Sequence, residues 1–168
     1  MDKHQAIERT RVIKWEDPLI GAKAGQIMSG LEYLQAMARG DLPPPPIAAL
    51  LNFEFVSVEQ GRVVFAIEPA EYHYNPLGSV HGGVAATLVD SAMTCAIYTT
   101  APAGMGYTTI ELHVNYVRPI TLKTGRLRCI GEVIHVGRRM ATAQARLLDE
   151  RDKLYSHAST TCLIFEVE

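Results

Sequence analysis

The spacing of apolar residues predicts a helix in the first quarter of the chain, from Gly25 to Arg39. Apolar side chains recur there every three or four residues, which is the period of one helix face. They are Ile27, Met28, Leu31, Leu34 and Ala38. Gly40 is suited to end this helix, while Ser29 followed by Glu32 marks an alternative, later start. Residues 1–24 are expected to form an arm lying on the domain.

Four consecutive prolines, Pro43 to Pro46, force an extended connector after this helix. A short helical turn is expected over Ala48 to Leu51. Two apolar-rich segments, Asn52 to Val58 and Arg62 to Glu68, then flank Glu59-Gln60-Gly61. A short glycine-containing turn between two such segments predicts a β-hairpin.

The longest apolar run, Val84 to Tyr98, contains no glycine or proline and is long enough for about four helical turns. Nearly every position in it is small or apolar, so the helix is predicted to be buried on most sides. Asp90 is the only ionisable carboxylate or amine within the run. A lone carboxylate on a buried helix is costly to desolvate, which makes Asp90 a candidate functional residue.

The last third of the chain is rich in β-branched residues and is divided by short turns, which predicts antiparallel neighbours. Four strands are expected, over Tyr107 to Arg118, Thr124 to Val136, Arg139 to Leu148 and Lys153 to Glu166. In the first of them Ile110, Leu112, Val114 and Tyr116 alternate with polar residues, so we expect their face to be buried.

The resulting order is one helix, two strands, one long buried helix and four strands. A highly curved antiparallel sheet wrapped around the long helix accommodates this order best, within the α+β class. The N-terminal helix is an addition to that core. We divide the chain into residues 1–46, comprising the arm, the helix and the proline linker, and a domain over residues 47–168.

Composition narrows the functional classes. The chain has 168 residues, is 48% hydrophobic and 20% charged, and carries a formal net charge of −2, which gives no electrostatic case for nucleic acid or an anionic membrane. Met1 to Gln5 has mixed charge and no apolar core, so no signal peptide is expected, and no apolar run reaches the roughly 20 residues that span a bilayer. Cys95, Cys129 and Cys162 are odd in number and indicate free thiols in a cytoplasmic protein.

The stretch before the long helix supplies further candidate chemistry. Gly82 and Gly83 leave the first N–H groups of the helix uncrowded, and a helix N-terminus binds partial negative charge. Asn75 and His81 lie just ahead of it, and Asp90 lies within it. An anion-binding helix end beside polar side chains and a solitary acid is a catalytic layout. It requires no metal or cofactor, and no cysteine or histidine spacing is typical of a zinc site.

At these positions the sequence resembles the hotdog-fold acyl-CoA thioesterases, specifically their phenylacetate-degradation (PaaI-like) branch. The resemblance extends from about Leu42 to Ile164 and depends on the order and spacing of several short motifs. They are Asn75-Pro76-Leu77-Gly78, His81-Gly82-Gly83, Leu88-Val89-Asp90-Ser91-Ala92, Thr108-Thr109-Ile110-Glu111-Leu112 and Asn115-Tyr116-Val117-Arg118-Pro119. It implies a hotdog fold, a homodimer or homotetramer, and hydrolysis of an acyl-CoA thioester to a free acid and coenzyme A.

The resemblance also implies roles for individual residues. Asn75 and the Gly82 N–H would polarise the thioester carbonyl, and Asp90 would activate a water molecule or attack directly. Thr109 stands where relatives place a serine or threonine near that water. His81 is expected to hold Asn75 or its loop in place. For the coenzyme A phosphates we consider the turn arginines Arg138 and Arg139, since arginine binds phosphate bidentately.

Helix geometry adds an inference that does not depend on the resemblance. Gly83 and Asp90 are two turns apart, which places them on one face but roughly 10 Å apart along the axis. A base must lie within about 3 Å of the group that it activates, or one water molecule away. One subunit therefore does not bring its own acid to its own helix end, and a twofold pairing of helices predicts active sites shared between subunits.

Other interpretations stay open at this point. Asp90 can be a structural acid bonded to Thr87 or Thr94, and Asn75 can form a plain Asx turn. The alternative enzyme is a hotdog hydratase or dehydratase acting on enoyl or hydroxyacyl thioesters, and the non-enzymatic alternative is an acyl-CoA-binding module. The acyl group, and the choice between dimer and tetramer, cannot be read from the sequence.

Overall fold

The computed structural model describes residues 8–167, so the expectation about Met1 to Gln5 lies outside the described residues. The helices are α1 (Pro18–Ile27), α2 (Gly30–Arg39), α3 (Pro46–Leu51) and α4 (Gly82–Tyr98). The strands are β1 (Phe53–Glu59), β2 (Arg62–Ile67), β3 (Met105–Tyr116), β4 (Leu127–Val136), β5 (Met140–Asp149) and β6 (Leu154–Glu166).

The six strands form one antiparallel sheet in the order β1-β2-β4-β5-β6-β3. It curves around α4, which contacts every strand of the sheet. This architecture confirms the hotdog fold and the predicted order of two strands, one long helix and four strands. No helix among residues 8–167 is long and apolar enough to cross a membrane.

The sheet lies directly against the backbone of α4. Val89, Ala92, Met93 and Ala96 are fully buried in this contact, as expected for a helix that is apolar on most sides. A Cβ atom on Gly131 of β4 would lie 2.2 Å from the Ala92 carbonyl oxygen, so only glycine fits there. This close approach places the middle of α4, including Asp90, at a defined depth beneath the sheet.

The single N-terminal helix predicted over Gly25 to Arg39 is wrong, because two helices occupy the region. Asp17 caps α1 by accepting a hydrogen bond from the Leu19 N–H, and α1 ends before Ser29. Ser29 and Glu32 then form the capping box of α2, which is the later start that the sequence offered. The arm expected over residues 1–24 is therefore helical from Pro18 onward.

A tertiary contact explains this break. The α-carbon of Gly30 lies so close to the end of α4 that a Cβ atom there would overlap the carbonyl oxygen of Tyr98. The Gly30 N–H donates to the Ala101 carbonyl, at 3.0 Å, instead of continuing α1. Leu34 of α2 belongs to the same buried core as α4 and the sheet. The division at residues 1–46 and 47–168 stays a prediction.

Strand β3 forms one edge of the sheet and pairs only with β6 on its other side. Of the four residues expected on a buried face, Val114 packs against the core. The expectation is wrong for Ile110, Leu112 and Tyr116 within the single chain, because their side chains are 56%, 37% and 57% exposed. The reason is the position of β3 at the open edge of the sheet. A bulge between Thr109 and Glu111 shifts the register with β6, so that Thr109, which bonds Asp90 of α4, lies on the same face as Tyr116. An edge of twelve residues with exposed apolar side chains is suited to pair with another strand.

Candidate active site

The N-terminus of α4 is held by its own capping residue. His81 precedes the helix, and its Nδ1 accepts a hydrogen bond from the Gly83 N–H at 2.9 Å. Because Nδ1 is the acceptor, the neutral ring carries its proton on Nε2. The Tyr116 hydroxyl donates to the Gly82 carbonyl at 3.2 Å. No residue in the described part of the chain accepts from the Gly82 N–H, so this group remains at the helix end as a donor.

The loop before α4 is a compact turn built on Asn75. Its Oδ1 accepts from the Leu77 N–H at 2.9 Å, and its Nδ2 donates to Ser79 Oγ at 3.2 Å. The Asx turn considered from the sequence is therefore present. Nδ2 carries a second hydrogen that the turn does not use. The His81 N–H donates to the carbonyl oxygen of buried His73, which fixes the loop against the domain.

Asp90 lies half-buried in the middle of α4 and is paired with Thr109 of β3. The Thr109 hydroxyl donates to Asp90 Oδ1 at 2.9 Å. Burial raises the pKa of the Asp90 carboxyl, and the bond from Thr109 partly opposes this by lowering it. Within residues 8–167 the other carboxylate oxygen has no hydrogen-bond partner. An ionised carboxylate with one oxygen fixed and one open can accept a proton from a bound molecule.

The helix itself does not supply partners for this carboxylate. The hydroxyl of Thr87 donates to the Gly83 carbonyl, and that of Thr94 donates to the Asp90 carbonyl. Both bonds are made to the main chain, so neither threonine holds the acid as the structural interpretation required.

The candidate residues fall into two groups within one chain. Asn75, His81, Gly82 and Gly83 gather at the start of α4, and Asp90 with Thr109 lies two turns further along. Since α4 is a continuous helix of 17 residues, the two groups are separated by roughly 10 Å along its axis. A single subunit therefore does not bring its carboxylate to its own helix end.

Two hollows flank the start of α4. One, of about 560 Å³, is lined by His81, Gly83 and Thr87 and by Arg11 of the N-terminal segment. The other, of about 260 Å³, is lined by Gly82, Ala85 and Tyr116. The Arg11 guanidinium is already engaged, because it stacks on the ring of Tyr72 and donates to two carbonyl oxygens of α3. Both hollows reach the start of α4, since His81 lines each of them.

Arg138 and Arg139 are exposed on the turn between β4 and β5. The register places the next residue, Met140, opposite Leu163, and Leu163 opposite Thr108. The Ile164 N–H donates to the Arg139 carbonyl, and Ile164 lies opposite Tyr107. Arg139 is therefore level with Tyr107 and about two strand spacings, roughly 10 Å, from β3. The two arginines are not gathered with the helix-end residues in the single chain.

Sequence patterns alone did not indicate two tyrosines of β3 that contact α4. Tyr116 bonds to Gly82, while Tyr107 lies against Thr94 and Cys95 one turn beyond Asp90. An alternation rule assigns both to the face of Thr109 only if the bulge between Thr109 and Glu111 is known. No group of three or more histidine, cysteine, aspartate or glutamate side chains in the described part of the chain is placed to hold a metal ion.

Comparison with known proteins places this geometry in context. The family model described as the thioesterase superfamily matches residues 77–156, which contain the start of α4, Asp90 and Thr109. A 1,4-dihydroxy-2-naphthoyl-CoA hydrolase of Listeria monocytogenes is 27% identical over 104 residues, covering 62% of this chain and 83% of that protein. A candidate esterase of Halobacterium salinarum is 34% identical over 111 residues, and the match covers 61% of this chain and 72% of that protein.

The same likeness holds among solved structures. A candidate thioesterase related to phenylacetic acid degradation, from Ralstonia eutropha, superposes with a TM-score of 0.71 at 26% identity. The match covers 78% of this chain and 98% of that one.

Proposed function

We propose that this chain, which belongs to the thioesterase superfamily and is a thioester hydrolase, acts on acyl-coenzyme A and releases a free acid and coenzyme A. The observation that carries the proposal is the half-buried Asp90 carboxylate, held by Thr109 through one oxygen and open at the other. A carboxylate in this position on an otherwise uncharged helix costs desolvation energy and contributes little to the packing, which supports a role in catalysis.

Hydrolysis converts the thioester carbonyl into an oxyanion, so the site needs donors directed at that oxygen. The Gly82 N–H at the helix end is the first such donor, aided by the partial positive charge of the helix terminus. The second Nδ2 hydrogen of Asn75 is the other. Each donor of this kind stabilises the transition state by roughly 3 kcal/mol. His81 keeps the helix end in shape by accepting from the Gly83 N–H. Gly83 lines the hollow of about 560 Å³ beside the helix end and is proposed to contact the substrate there.

Asp90 acts either as a general base or as a nucleophile. As a general base it takes a proton from water while the water oxygen bonds to the carbonyl carbon, and collapse of the oxyanion expels the thiolate of coenzyme A. As a nucleophile its oxygen bonds to the carbonyl carbon and the thiolate of coenzyme A leaves, which gives an acyl-enzyme anhydride. Water then cleaves this anhydride to the free acid and restores the Asp90 carboxylate. Thr109 fixes the carboxylate in both cases.

We further propose that the protein is a homo-oligomer, a dimer or a tetramer, whose active sites combine Gly82 and Asn75 of one subunit with Asp90 of another. The separation of roughly 10 Å between the two groups on α4 supports this arrangement. The edge of β3, where the side chains of Ile110 and Leu112 are exposed, is suited to twofold pairing. Arg138 and Arg139 are proposed to bind the coenzyme A phosphates. The three free cysteines favour a cytoplasmic location.

The direct test is release of free thiol from a panel of acyl-coenzyme A thioesters. Asp90→Asn should lower kcat by two orders of magnitude or more, about 3 kcal/mol, in a folded protein. Asp152→Asn, the same chemical change at an exposed turn residue, serves as the matched control. Wild-type turnover by Asp90→Asn would refute the assignment. Hydration of enoyl thioesters without thiol release would favour the hydratase alternative instead.

The shared site is tested by mixing two inactive variants. Gly82→Pro removes the donor N–H, and the extended conformation of His81 before it is one that a following proline tolerates. Because a side chain at Gly82 meets the Tyr116 ring at about 3.3 Å, folding and oligomeric state are checked first. After subunit exchange with Asp90→Asn, half of the dimers are mixed and each holds one intact site. Activity should recover to about a quarter of wild type; no recovery despite demonstrated exchange would exclude sharing.

A further inference from the structure

The N-terminal helices enclose a cavity that the thioesterase chemistry described above does not use. It has a volume of about 630 Å³ and lies between α2, the start of β1 and the C-terminal half of α4. Tyr33 and Met37 of α2 form one wall, and the rings of Phe53, Phe55 and Phe65 form another. Its interior is therefore largely apolar and aromatic.

One end of the cavity lies within one turn of α4 from the candidate catalytic residue Asp90. Ser91, which follows Asp90 directly, lines it together with Thr94 and Cys95. Tyr107 of β3 closes this end, two residues before Thr109 on the strand that holds Asp90. Burial raises the pKa of the Cys95 thiol to about 12, so this sulfur stays protonated and does not compete as a nucleophile.

The α2 wall is fixed to the core by stacked rings. The rings of Tyr33 and Tyr98 meet edge-on with their centroids 5.8 Å apart, and the ring centroids of Tyr98 and Tyr107 are 4.7 Å apart. The Tyr98 hydroxyl also donates to the Gly25 carbonyl of α1. These contacts tie α1 and α2 to α4 and β3, so the cavity is a preformed feature and not a loose gap.

We propose that this cavity binds the acyl part of a bulky, apolar thioester, and that the N-terminal helices set the size of the acyl group that the enzyme accepts. The inference rests on the proposed thioesterase function and names its substrate class. The cavity has the size of sites that enclose drug-sized ligands, far beyond what a two-carbon acyl group fills. Among the residues that the structure describes, the charged ones lining the cavity are Asp17, Arg39 and Glu54, and all three are exposed. Aliphatic and polycyclic aromatic acyl groups share the required chemistry.

The test narrows and widens the cavity at one position. Met37→Trp fills part of it from the α2 wall, and Met37→Ala enlarges it. Ile27→Trp adds the same bulk at an α1 position that is 81% exposed and does not line the cavity, which makes it the matched control. For each variant kcat/KM is measured with acetyl-, octanoyl-, dodecanoyl- and naphthoyl-coenzyme A, after folding is checked by circular dichroism.

Met37→Trp should lower the ratio of kcat/KM for octanoyl over acetyl substrate at least tenfold, because lost apolar contact is worth that much or more. Met37→Ala should shift the preference toward dodecanoyl, and Ile27→Trp should leave all ratios at wild type. A larger loss with naphthoyl than octanoyl would assign the cavity to aromatic acyl groups, and the reverse to aliphatic ones. If both Met37 variants keep the wild-type ratios of kcat/KM between the acyl substrates, the proposal is overturned.

A separate measurement keeps this failure distinct from failure of the proposed function. Octanoyl-coenzyme A is titrated calorimetrically into Asp90→Asn, with and without Met37→Trp. If the wild type hydrolyses no acyl-coenzyme A, the proposed function fails, and this titration alone then decides the cavity. Binding at least tenfold weaker in the doubly substituted protein supports an acyl site, and equal binding overturns it.

Discussion

Replacing Thr109 by valine isolates the contribution of one hydrogen bond to the chemistry of Asp90. The change removes the hydroxyl that donates to Asp90 Oδ1 at 2.9 Å and keeps the branched shape of the side chain. In the wild type this bond lowers the pKa of the carboxyl and opposes the effect of burial, which raises it. Without the bond burial acts unopposed, so Asp90 holds its proton to a higher pH.

The size of the effect follows from the geometry. A hydrogen bond to a charged group contributes about 1.5–3 kcal/mol. Asp90 is half-buried, so solvent screening favours the lower end, about 1.5 kcal/mol, which corresponds to roughly a factor of ten. On the acidic side of the profile of kcat/KM against pH, Thr109→Val should therefore be about tenfold less active than wild type. On the alkaline plateau, where Asp90 is ionised in both proteins, the two should converge.

The assay is kcat/KM for one acyl-coenzyme A across the acidic and neutral range. Thr109→Ser keeps the donor hydroxyl and is the control that should follow the wild-type profile. Coincident acid limbs for Thr109→Val and wild type would refute the electrostatic role of Thr109. An equal loss at every pH would show instead that the hydroxyl acts by placing the attacking water.

Two further predictions concern charge. Burial raises the pKa of Asp90, so the folded state binds its proton more tightly than the unfolded chain, and stability is lost as the pH rises through the folded pKa. Asp90→Asn should therefore melt at a higher temperature than wild type at neutral pH, with the advantage disappearing in acid; thermal unfolding at both pH values checks this. Arg138→Ala combined with Arg139→Ala should raise KM several-fold at low ionic strength and less at high, with kcat little changed. Arg151→Ala, on the turn between β5 and β6, is the control. If the double variant keeps the wild-type KM at every ionic strength, Arg138 and Arg139 do not bind the coenzyme A phosphates.

Most of the fold could be predicted from short-range patterns in the sequence. The hairpin around Gly61, the long helix ending at Tyr98 and the four later strands all follow from short-range periodicity and turn residues. The break between α1 and α2 does not, because it depends on Gly30 meeting the Tyr98 carbonyl, a contact between residues far apart in sequence. Ser29 and Glu32 signalled that break locally, but pattern alone could not choose between the two starts.

The candidate site divides in the same way. Asp90 could be identified from the sequence because it is the one ionisable carboxylate or amine on an apolar helix. The Gly82 N–H could be identified as a donor because Gly82 stands at the start of that helix. Thr109 as the partner of Asp90 came from resemblance, since the bulge after it reverses the face that alternation assigns. The cavity walled by Met37 was not foreseeable, because it is formed by elements whose packing has no local signature.

The uniformly apolar character of α4 has a consequence for how the chain is made. This helix leaves the ribosome before β3 to β6, the strands that cover most of it. The 68 residues between Tyr98 and the end of β6 at Glu166 take roughly 3–14 seconds to synthesise. During that interval only the β1–β2 hairpin and the N-terminal helices can shield it. The nascent chain therefore passes through a period in which its apolar central helix is largely uncovered, and this period ends as β3 to β6 emerge and pack on it.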